Sequence, residues 1–256
     1  GGDPDPQPDA PPLRGVVNIL WGAGVVQHRS GVGHADRVIQ VDLAYMSTQY
    51  QGQESSTWAL VMADSDTGAV GCTTLRTKTD DRAKDEIVTF LRALNAEQAS
   101  LRCDAEPAVT GLCKRVLVQL QGGDARLQAV PVGKHQGNGG VERAIRSVRE
   151  LLRTHLMQHR ETYQEDVPAQ SHLFSWFVRH ITWVMNRYGA GETPYEQVTG
   201  VCERGPVHRF GAPVLASTFQ RGKLDPAWVK GRWLGKMHRE HLVWAEDGSV
   251  VVAEEV

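Results

Sequence analysis

Strand-like and helix-like segments alternate through the middle of this chain in an order that few folds accommodate. Apolar runs with strand composition occupy residues 37–46, 57–63, 69–75, 99–104 and 126–132. The second and third runs are joined by Asp64-Ser-Asp-Thr-Gly68, a sequence typical of a hairpin turn. Helical patterns occupy residues 79–94, 107–120 and 140 onward. The order β-β-β-α-β-α-β-α predicts a mixed five-stranded sheet flanked by helices, in the α/β class.

The helix that begins near Gly140 carries two separate stripes. Apolar residues recur at the spacing of one helix face, at Val141, Ile145, Val148 and Leu152. The same spacing one residue later gives Glu142, Arg146, Arg149 and Arg153, about 100° around the helix. The first stripe is predicted to be buried. The second is predicted to present one acid at the helix start, followed by three guanidinium groups.

The rest of the chain is predicted to add two helices and a small β-rich segment. Helical patterns cover residues 171–188 and 194–199, and short strand runs cover 213–218, 228–234, 242–245 and 250–253. Asp247-Gly248 is a hairpin signal between the last two runs. The first 12 residues hold five of the twelve prolines, which is typical of an extended linker. We therefore predict a linker at 1–15, a core at 16–205 and a β-rich C-terminal segment at 206–256.

Three carboxylates stand where such a fold would bring them to one point. Asp42 lies within the first strand run among apolar neighbours, Asp104 ends the fourth run, and Glu142 opens the long helix. An unpaired carboxylate in a central strand is costly, and a cation would relieve that cost. Carboxylates at adjacent strand ends, with a third on a crossing helix, suit a pair of divalent cations. Such sites catalyse in-line displacement at phosphorus.

Each acid also has an ordinary structural explanation. A solvent-facing or edge position in a strand explains Asp42 about as well as metal binding does. Glu142 and Arg146, four residues apart on one helix face, would form a common surface pair. That pair explains the charged stripe, but it does not explain the Gly-rich loop at 137–140 or the other two acids. The scattered Ser, Cys and His residues show no arrangement that indicates a protein nucleophile.

Charge and cysteine content restrict the partners and the compartment. The formal net charge of −2 counts against a nucleic-acid-binding protein, but basic residues are concentrated in two segments, 133–160 and 221–241. The four cysteines show no C-x-x-C spacing, which favours free thiols in a reducing compartment over a zinc site. No apolar run approaches the roughly 18 residues needed to cross a membrane, so no membrane partner is expected.

Several short motifs resemble the catalytic core of retroviral and retrotransposon integrases. With 37 residues between Asp104 and Glu142, the three acids are similar to the Asp, Asp, Glu pattern of that family. His135-Gln-Gly-Asn-Gly-Gly-Val-Glu-Arg143 resembles the family's approach to its glutamate. Trp183-Val-Met-Asn186, Thr193-Pro-Tyr-Glu-Gln-Val-Thr-Gly200 and Lys230-Gly-Arg-Trp-Leu-Gly235 resemble later segments of long-terminal-repeat elements, the last of them of copia type. The resemblance runs from about residue 38 to residue 234.

The resemblance implies an RNase H-like fold and a metal-dependent polynucleotidyl transferase of a retroelement. In that family two Mg²⁺ or Mn²⁺ ions serve DNA 3′-end processing and strand transfer. Asp42, Asp104 and Glu142 are accordingly expected to be both catalytic and metal-binding here. The implied partners are double-stranded DNA, as element ends and target, and further copies of the chain in a homo-oligomer. The implied setting is intracellular, in the nucleus or a cytoplasmic particle.

DNA contacts are expected around the Gly-rich loop and along the basic stripe, at Lys134, Asn138, Arg146, Arg149 and Arg153. Contacts of this kind bind mainly phosphate. For Lys134 and Asn138, ordinary loop chemistry is an equal alternative. In the tail, Trp228, Trp233 and Trp244 stand near Lys230, Arg232 and Lys236. They suit either a small hydrophobic core, which we favour, or a DNA-contacting surface.

The chain departs from the family pattern in lacking a His-His-Cys-Cys zinc module ahead of the core. The module would then lie upstream, have been removed or have been lost. The absence of an initiator Met suggests a piece of a longer polyprotein or a trimmed chain. Two other functions are compatible with the sequence. One is a catalytically inactive, domesticated integrase-like domain that only binds nucleic acid. The other is a structure-selective nuclease of the RNase H group, which fits Asn138-Gly139 and the 37-residue interval less well.

Overall fold

The computed structural model describes residues 37–120, 126–130, 137–203, 205, 207–217, 227–237 and 240–256. Several parts of the sequence-based prediction lie outside these ranges. They are the linker at 1–15, the start of the core up to residue 36, the loop residue Lys134, the boundary residue 206, and the ends of two predicted strands at 131–132 and 218. No helix within the described ranges is both long enough and apolar enough to cross a membrane.

Within the described ranges, five strands form the larger sheet, and their arrangement confirms the predicted α/β class with a mixed five-stranded sheet. The strands are β1 (Val38–Tyr50), β2 (Gln53–Asp64), β3 (Val70–Leu75), β4 (Ser100–Asp104) and β5 (Leu127–Val130). They lie in the order β3-β2-β1-β4-β5. β1 pairs antiparallel with β2 and parallel with β4, which in turn pairs parallel with β5. The sheet is therefore mixed, as the order of segments predicts.

β1 is the central strand, and its sequence accounts for that position. Its side chains alternate between two hydrophobic cores: Ile39 and Val41 pack into one, while Ala44 and Met46 pack into the other. A strand buried on both faces has a nearly continuous apolar sequence, which is the pattern seen around these residues. Asp42 interrupts that pattern and is half-buried.

The helices of the described chain cover both faces of this sheet. They are α1 (Arg82–Ala93), α2 (Pro107–Gln119), α3 (Gly139–Tyr163), α4 (His172–Arg187) and α5 (Pro194–Thr199). α1 and α2 pack in the core that contains Val41, whereas α3 and α4 pack in the core that contains Ala44. The predicted buried stripe of α3 is confirmed at all four positions, Val141, Ile145, Val148 and Leu152. The result is a sheet between two helical layers.

The C-terminal segment forms a separate small sheet of four antiparallel strands in the described ranges. In order across the sheet these are β6 (Pro213–Ser217), β7 (Trp228–Met237), β8 (Glu240–Ala245) and β9 (Val250–Ala253). Leu242 and Trp244 join the core of α3 and α4, while Trp233 is buried in a small cluster on the opposite face. Trp233 and Trp244 are therefore core residues, as favoured from the sequence, whereas Trp228 is 46% exposed. The predicted boundary at residue 206 stays a prediction.

Asn186 fastens α4 to β3, the edge strand of the larger sheet. Its Oδ1 accepts a hydrogen bond from the backbone N–H of Val70 at 2.9 Å, and its Nδ2 donates to the carbonyl oxygen of Val70 at 2.7 Å. The side-chain amide thus takes the place of a further strand at this point. Because buried backbone groups need partners, this contact gives the asparagine of the Trp183–Asn186 motif a structural role.

Glu165 connects the segment after α3 to the C-terminal sheet. Its Oε2 lies 3.2 Å from Nε2 of His159 on α3 and 2.6 Å from Nη1 of Arg232 on β7. The hydrogen bond with His159 is the largest influence, and together with the Arg232 guanidinium it lowers the pKa of Glu165 to about 2 against the opposing effect of burial. A carboxyl group whose pKa falls on folding stabilises the folded state while it is ionised.

We expect Glu165→Gln to lower the free energy of unfolding at pH 7 by about 1–3 kcal/mol. Because folding depresses this pKa, the contribution is complete above the ordinary value of 4.5 and is lost as the pH falls toward about 2. Urea denaturation of both proteins between pH 7 and pH 3 should show a difference that shrinks on acidification. Glu161→Gln, an exposed change on α3, is the control and should cost less than about 0.5 kcal/mol. If the difference in unfolding free energy between wild type and Glu165→Gln grew below pH 4.5, the stabilising role of ionised Glu165 would be contradicted.

Candidate active site

The parallel pairing of β1 with β4 brings the first two predicted acids together. Val41 on β1 lies opposite Cys103 on β4. The residues that follow them, Asp42 and Asp104, are therefore neighbours on adjacent strands. Adjacent strands lie about 4.8 Å apart. Val41 and Cys103 point into the core of α1 and α2, so the two acids point toward the face that α3 covers.

The carboxyl group of Asp42 responds to its burial and to the neighbouring charges. Burial raises its pKa, a hydrogen bond from the backbone N–H of Leu43 at 2.7 Å opposes the rise, and the net result is a pKa of about 6. The negative charges of Asp104, Glu106 and Glu142 contribute to the increase, in that order. Asp104 and Glu142 therefore lie close enough to Asp42 to influence it electrostatically.

Glu142 approaches the other acids from the first turn of α3. This turn is attached to β1 through Gln40, whose Oε1 accepts a hydrogen bond from the N–H of Val141 at 2.8 Å. It is attached to β4 through Asn138, whose Nδ2 donates to Oδ1 of Asp104 at 3.0 Å. Among the described residues, neither Asp42, Asp104 nor Glu142 forms an ion pair with a basic side chain. The negative charge of the cluster is thus not balanced by a close cationic partner in the described chain.

A fourth carboxylate, Glu106, belongs to this cluster and was not predicted from the sequence. It is the N-cap residue of α2, and its effect on the pKa of Asp42 exceeds that of Glu142. The ammonium group of Lys78 lies 2.6 Å from its Oε1, so much of its charge is balanced. Its place two residues after Asp104 is the sequence signal that would have indicated it.

The donor set fits a hard divalent cation. Mg²⁺ and similar ions prefer carboxylate oxygens, which is what β1, β4 and α3 supply here. As the side chains are placed, no three His, Cys, Asp or Glu residues in the described part of the chain lie close enough to hold an ion. Asp104 and Glu142 are exposed. For three carboxylates to hold one ion, their oxygens would have to lie closer together than they do in this structure.

The predicted basic stripe of α3 lies on the solvent side of the same helix. Arg146, Arg149 and Arg153, named here the basic ridge, are exposed and form no ion pair with a described acidic residue. The alternative of a Glu142–Arg146 surface pair is therefore not observed. Arg149 also donates to the carbonyl oxygen of Tyr45 at 2.8 Å, which fixes its position beside β1. Exposed guanidinium groups in a row attract a polyanion.

Of the other two predicted DNA contacts, Lys134 lies outside the described residues. Asn138 is only 1% exposed, and its amide donates to Asp104, so in this structure it orients an acid and does not lie open to a ligand. Its direct contact with DNA stays a prediction.

Three of the cysteines and His180 are buried. Cys72, Cys103 and Cys113 are buried free thiols, and Cys202 is an exposed one. His180 on α4 is packed between aromatic rings, and burial lowers its pKa to about 3. These surroundings support core roles for the buried groups.

Comparison with known proteins gives structural neighbours. No family model matches the chain, and no curated protein matches its sequence. The chain is similar to a simian T-cell lymphotropic virus intasome in complex with PP2A regulatory subunit B56 gamma, with TM-score 0.47 and 17% identity over 89% of this chain and 81% of that chain. It is similar to the HTLV-2 integrase catalytic core domain in complex with magnesium (trimeric form), with TM-score 0.42 and 16% identity over 63% of this chain and 95% of that chain. It is also similar to the catalytic core domain of BIV integrase, with TM-score 0.38 and 20% identity over 64% of this chain and 93% of that chain.

These neighbours are distant. All three identities are 20% or less and all three TM-scores lie below 0.5. The function is therefore inferred from the residues of this chain.

Proposed function

We propose that this chain is a metal-dependent polynucleotidyl transferase of the integrase type, acting on double-stranded DNA. The observation that carries the proposal is the cluster of Asp42, Asp104 and Glu142 beside the basic ridge. β1, β4 and α3 each contribute one of these carboxylates, and the charges of Asp104 and Glu142 help to raise the pKa of Asp42. A carboxyl group perturbed in this way is typical of functional sites.

Asp42, Asp104 and Glu142 would hold the metal, which we propose to be two Mg²⁺ or Mn²⁺ ions. Cations bound there would stabilise the negative charge on the phosphoryl oxygens and on the leaving oxygen. Asp42 is fixed by the central strand and by the N–H of Leu43, and Asp104 is oriented by Asn138. Because both acids are held by the sheet and its loop, little rearrangement of the backbone is needed for them to act. No side chain needs to form a covalent intermediate.

The basic ridge would hold the DNA backbone alongside the acids. Arg146, Arg149 and Arg153 extend along α3 from the helix end that carries Glu142, so phosphates bound to them lead to the acid cluster. The nucleophile would be water in 3′-end processing and a DNA 3′-hydroxyl group in strand transfer. On the motif resemblance alone, we extend the proposal to a retroelement origin of copia type and to a homo-oligomer. The intracellular site of action, nucleus or cytoplasmic particle, belongs to the same extension.

A second candidate is an inactive, domesticated domain that binds nucleic acid through the basic ridge. The observation that favours it is that the acids, as placed in the described chain, are not close enough to hold an ion. In this case the ridge alone would be functional, and the acid cluster would be a remnant. The two candidates differ in whether metal-dependent chemistry occurs.

Strand transfer on a short blunt DNA duplex separates these candidates. With Mg²⁺ or Mn²⁺ the wild-type protein is expected to join 3′ ends of the duplex to a second duplex, and Asp104→Asn should lower the rate at least about 100-fold. The loss is expected because an amide cannot replace a charged ligand oxygen. Glu161→Gln, an exposed change near the far end of α3, is the matched control and should leave the rate unchanged. A folded wild-type protein that binds the duplex and joins no ends with either metal would favour the second candidate.

The dependence of DNA affinity on salt tests the role of the basic ridge. Each of Arg146→Gln, Arg149→Gln and Arg153→Gln should reduce the slope of log K against log salt concentration by about 1, whatever the DNA sequence. The change should be smallest for Arg149 if its contact with Tyr45 keeps it from the phosphates. Fluorescence anisotropy on two unrelated duplexes measures the slopes. Arg115→Gln, an exposed change on α2, is the control, and a triple ridge variant with the wild-type slope would exclude this surface.

A further inference from the structure

Gln40 is a buried polar residue on the central strand, two residues before Asp42 and on the same face. Its side chain is 9% exposed and crosses from the sheet to the start of α3. Its Oε1 accepts a hydrogen bond from the N–H of Val141 at 2.8 Å, and its Nε2 donates to the carbonyl oxygen of Gly137 at 3.5 Å. Both ends of one amide are thus bound to the backbone turn that leads directly to Glu142.

The contact with Val141 replaces the usual N-terminal cap of the helix. The first N–H groups of a helix have no partner within it, and the N-cap side chain commonly accepts one of them. Here the N-cap residue is Asn138, whose side chain makes no such bond and donates instead to Asp104. Gln40 supplies the missing acceptor from a distant strand. The cap residue is therefore available to orient an acid, and the sheet fixes the helix start.

Gly140 provides the space that this arrangement needs. A Cβ atom added at Gly140 would lie 2.6 Å from Oε1 of Gln40, and its next two nearest neighbours, at 3.1 and 3.3 Å, are also atoms of the Gln40 amide. A contact of 2.6 Å is too close for a carbon and an amide oxygen, so a side chain at this position would displace Gln40. The glycine is required here for close approach between strand and turn.

We infer that Gln40 is a positioning residue that sets the place of Glu142 relative to Asp42, with Gly140 as its necessary partner. The hydrogen bonds of Gln40 are observed, but their role in metal binding rests on the proposed function. A second strand supports the same turn, since Arg102 on β4 donates to the carbonyl oxygen of Gly137 at 3.2 Å. Loss of Gln40 therefore loosens the first turn of α3 and leaves the rest of the sheet intact. The expected consequence is weaker metal binding by the three acids.

A double-mutant cycle between Gln40 and Gly140 tests the contact without relying on activity. Gln40→Ala and Gly140→Ala should each raise the amide hydrogen-exchange rate of Val141, measured by NMR on the metal-free protein, by about tenfold or more. The three nearest neighbours of the added methyl group are all atoms of Gln40. Once Gln40 is truncated, the methyl group should therefore have no further effect, and the exchange rate of Val141 in the double variant should equal that in Gln40→Ala within about twofold. Gln40→Glu retains an acceptor for Val141 and should keep the wild-type exchange rate at that amide. Gln49→Ala at the exposed end of β1 and Gly111→Ala in α2 are the matched controls.

Titration calorimetry with Mn²⁺ tests the purpose of the contact. We expect Gln40→Ala to lower Mn²⁺ affinity by about 10–100-fold, with the controls unchanged. The inference would be overturned if the two substitutions raised the exchange rate of Val141 additively, or if Gln40→Ala left that rate unchanged. It would also be overturned if Gln40→Ala raised the exchange rate of Val141 but left the Mn²⁺ affinity unchanged. If the wild-type protein binds no Mn²⁺ and joins no DNA, the proposed function fails and the metal-positioning role with it. If wild type is active and Gln40→Ala is equally active and binds Mn²⁺ equally well, only the inference about Gln40 fails.

Discussion

The parallel pairing of β1 with β4 is the constraint on which the site depends, because it fixes Asp42 beside Asp104 at strand spacing. Two unit charges about 5 Å apart repel by roughly 1 kcal/mol in water and by roughly 3 kcal/mol near a protein surface. With a pKa of about 6, Asp42 is still largely ionised at pH 7, so protonation does not remove this repulsion. The paired backbones prevent the two residues from moving apart. A cation bound at the proposed metal site would relieve this repulsion.

The surrounding residues organise the loop and the helix around this pair. Each of the two strands carries, two residues before its acid, a polar side chain that reaches the carbonyl oxygen of Gly137: Gln40 on β1 and Arg102 on β4. Side chains two residues apart on a strand share a face. On each strand the acid and the side chain that supports the loop therefore lie on the same face of the sheet. The loop then leads into α3, which carries both Glu142 and the basic ridge. The acid cluster and the basic ridge are therefore connected through one helix.

Much of the fold follows from sequence periodicity, because most elements have a clear apolar pattern. The helix at 194–199 and the strand at 250–253 match the prediction at both ends, and the buried stripe of α3 matches at every position. The three acids were predictable from local context, but their supports were not. Gln40 and Val141 are 101 residues apart in the chain, and their contact depends on strand register and on the path of a loop. The same applies to the burial of Asn138 against Asp104, which local sequence cannot indicate.

The most direct test of the account is to locate bound Mn²⁺ in crystals of the wild-type protein by anomalous scattering. Manganese is expected at ligand distance from oxygens of Asp42 and Asp104, with Glu142 turned toward the same site. The signal should disappear from crystals of Asp104→Asn grown under the same conditions. Manganese bound only at other residues, or no bound manganese at millimolar concentration, would contradict the claim that these carboxylates form a metal centre.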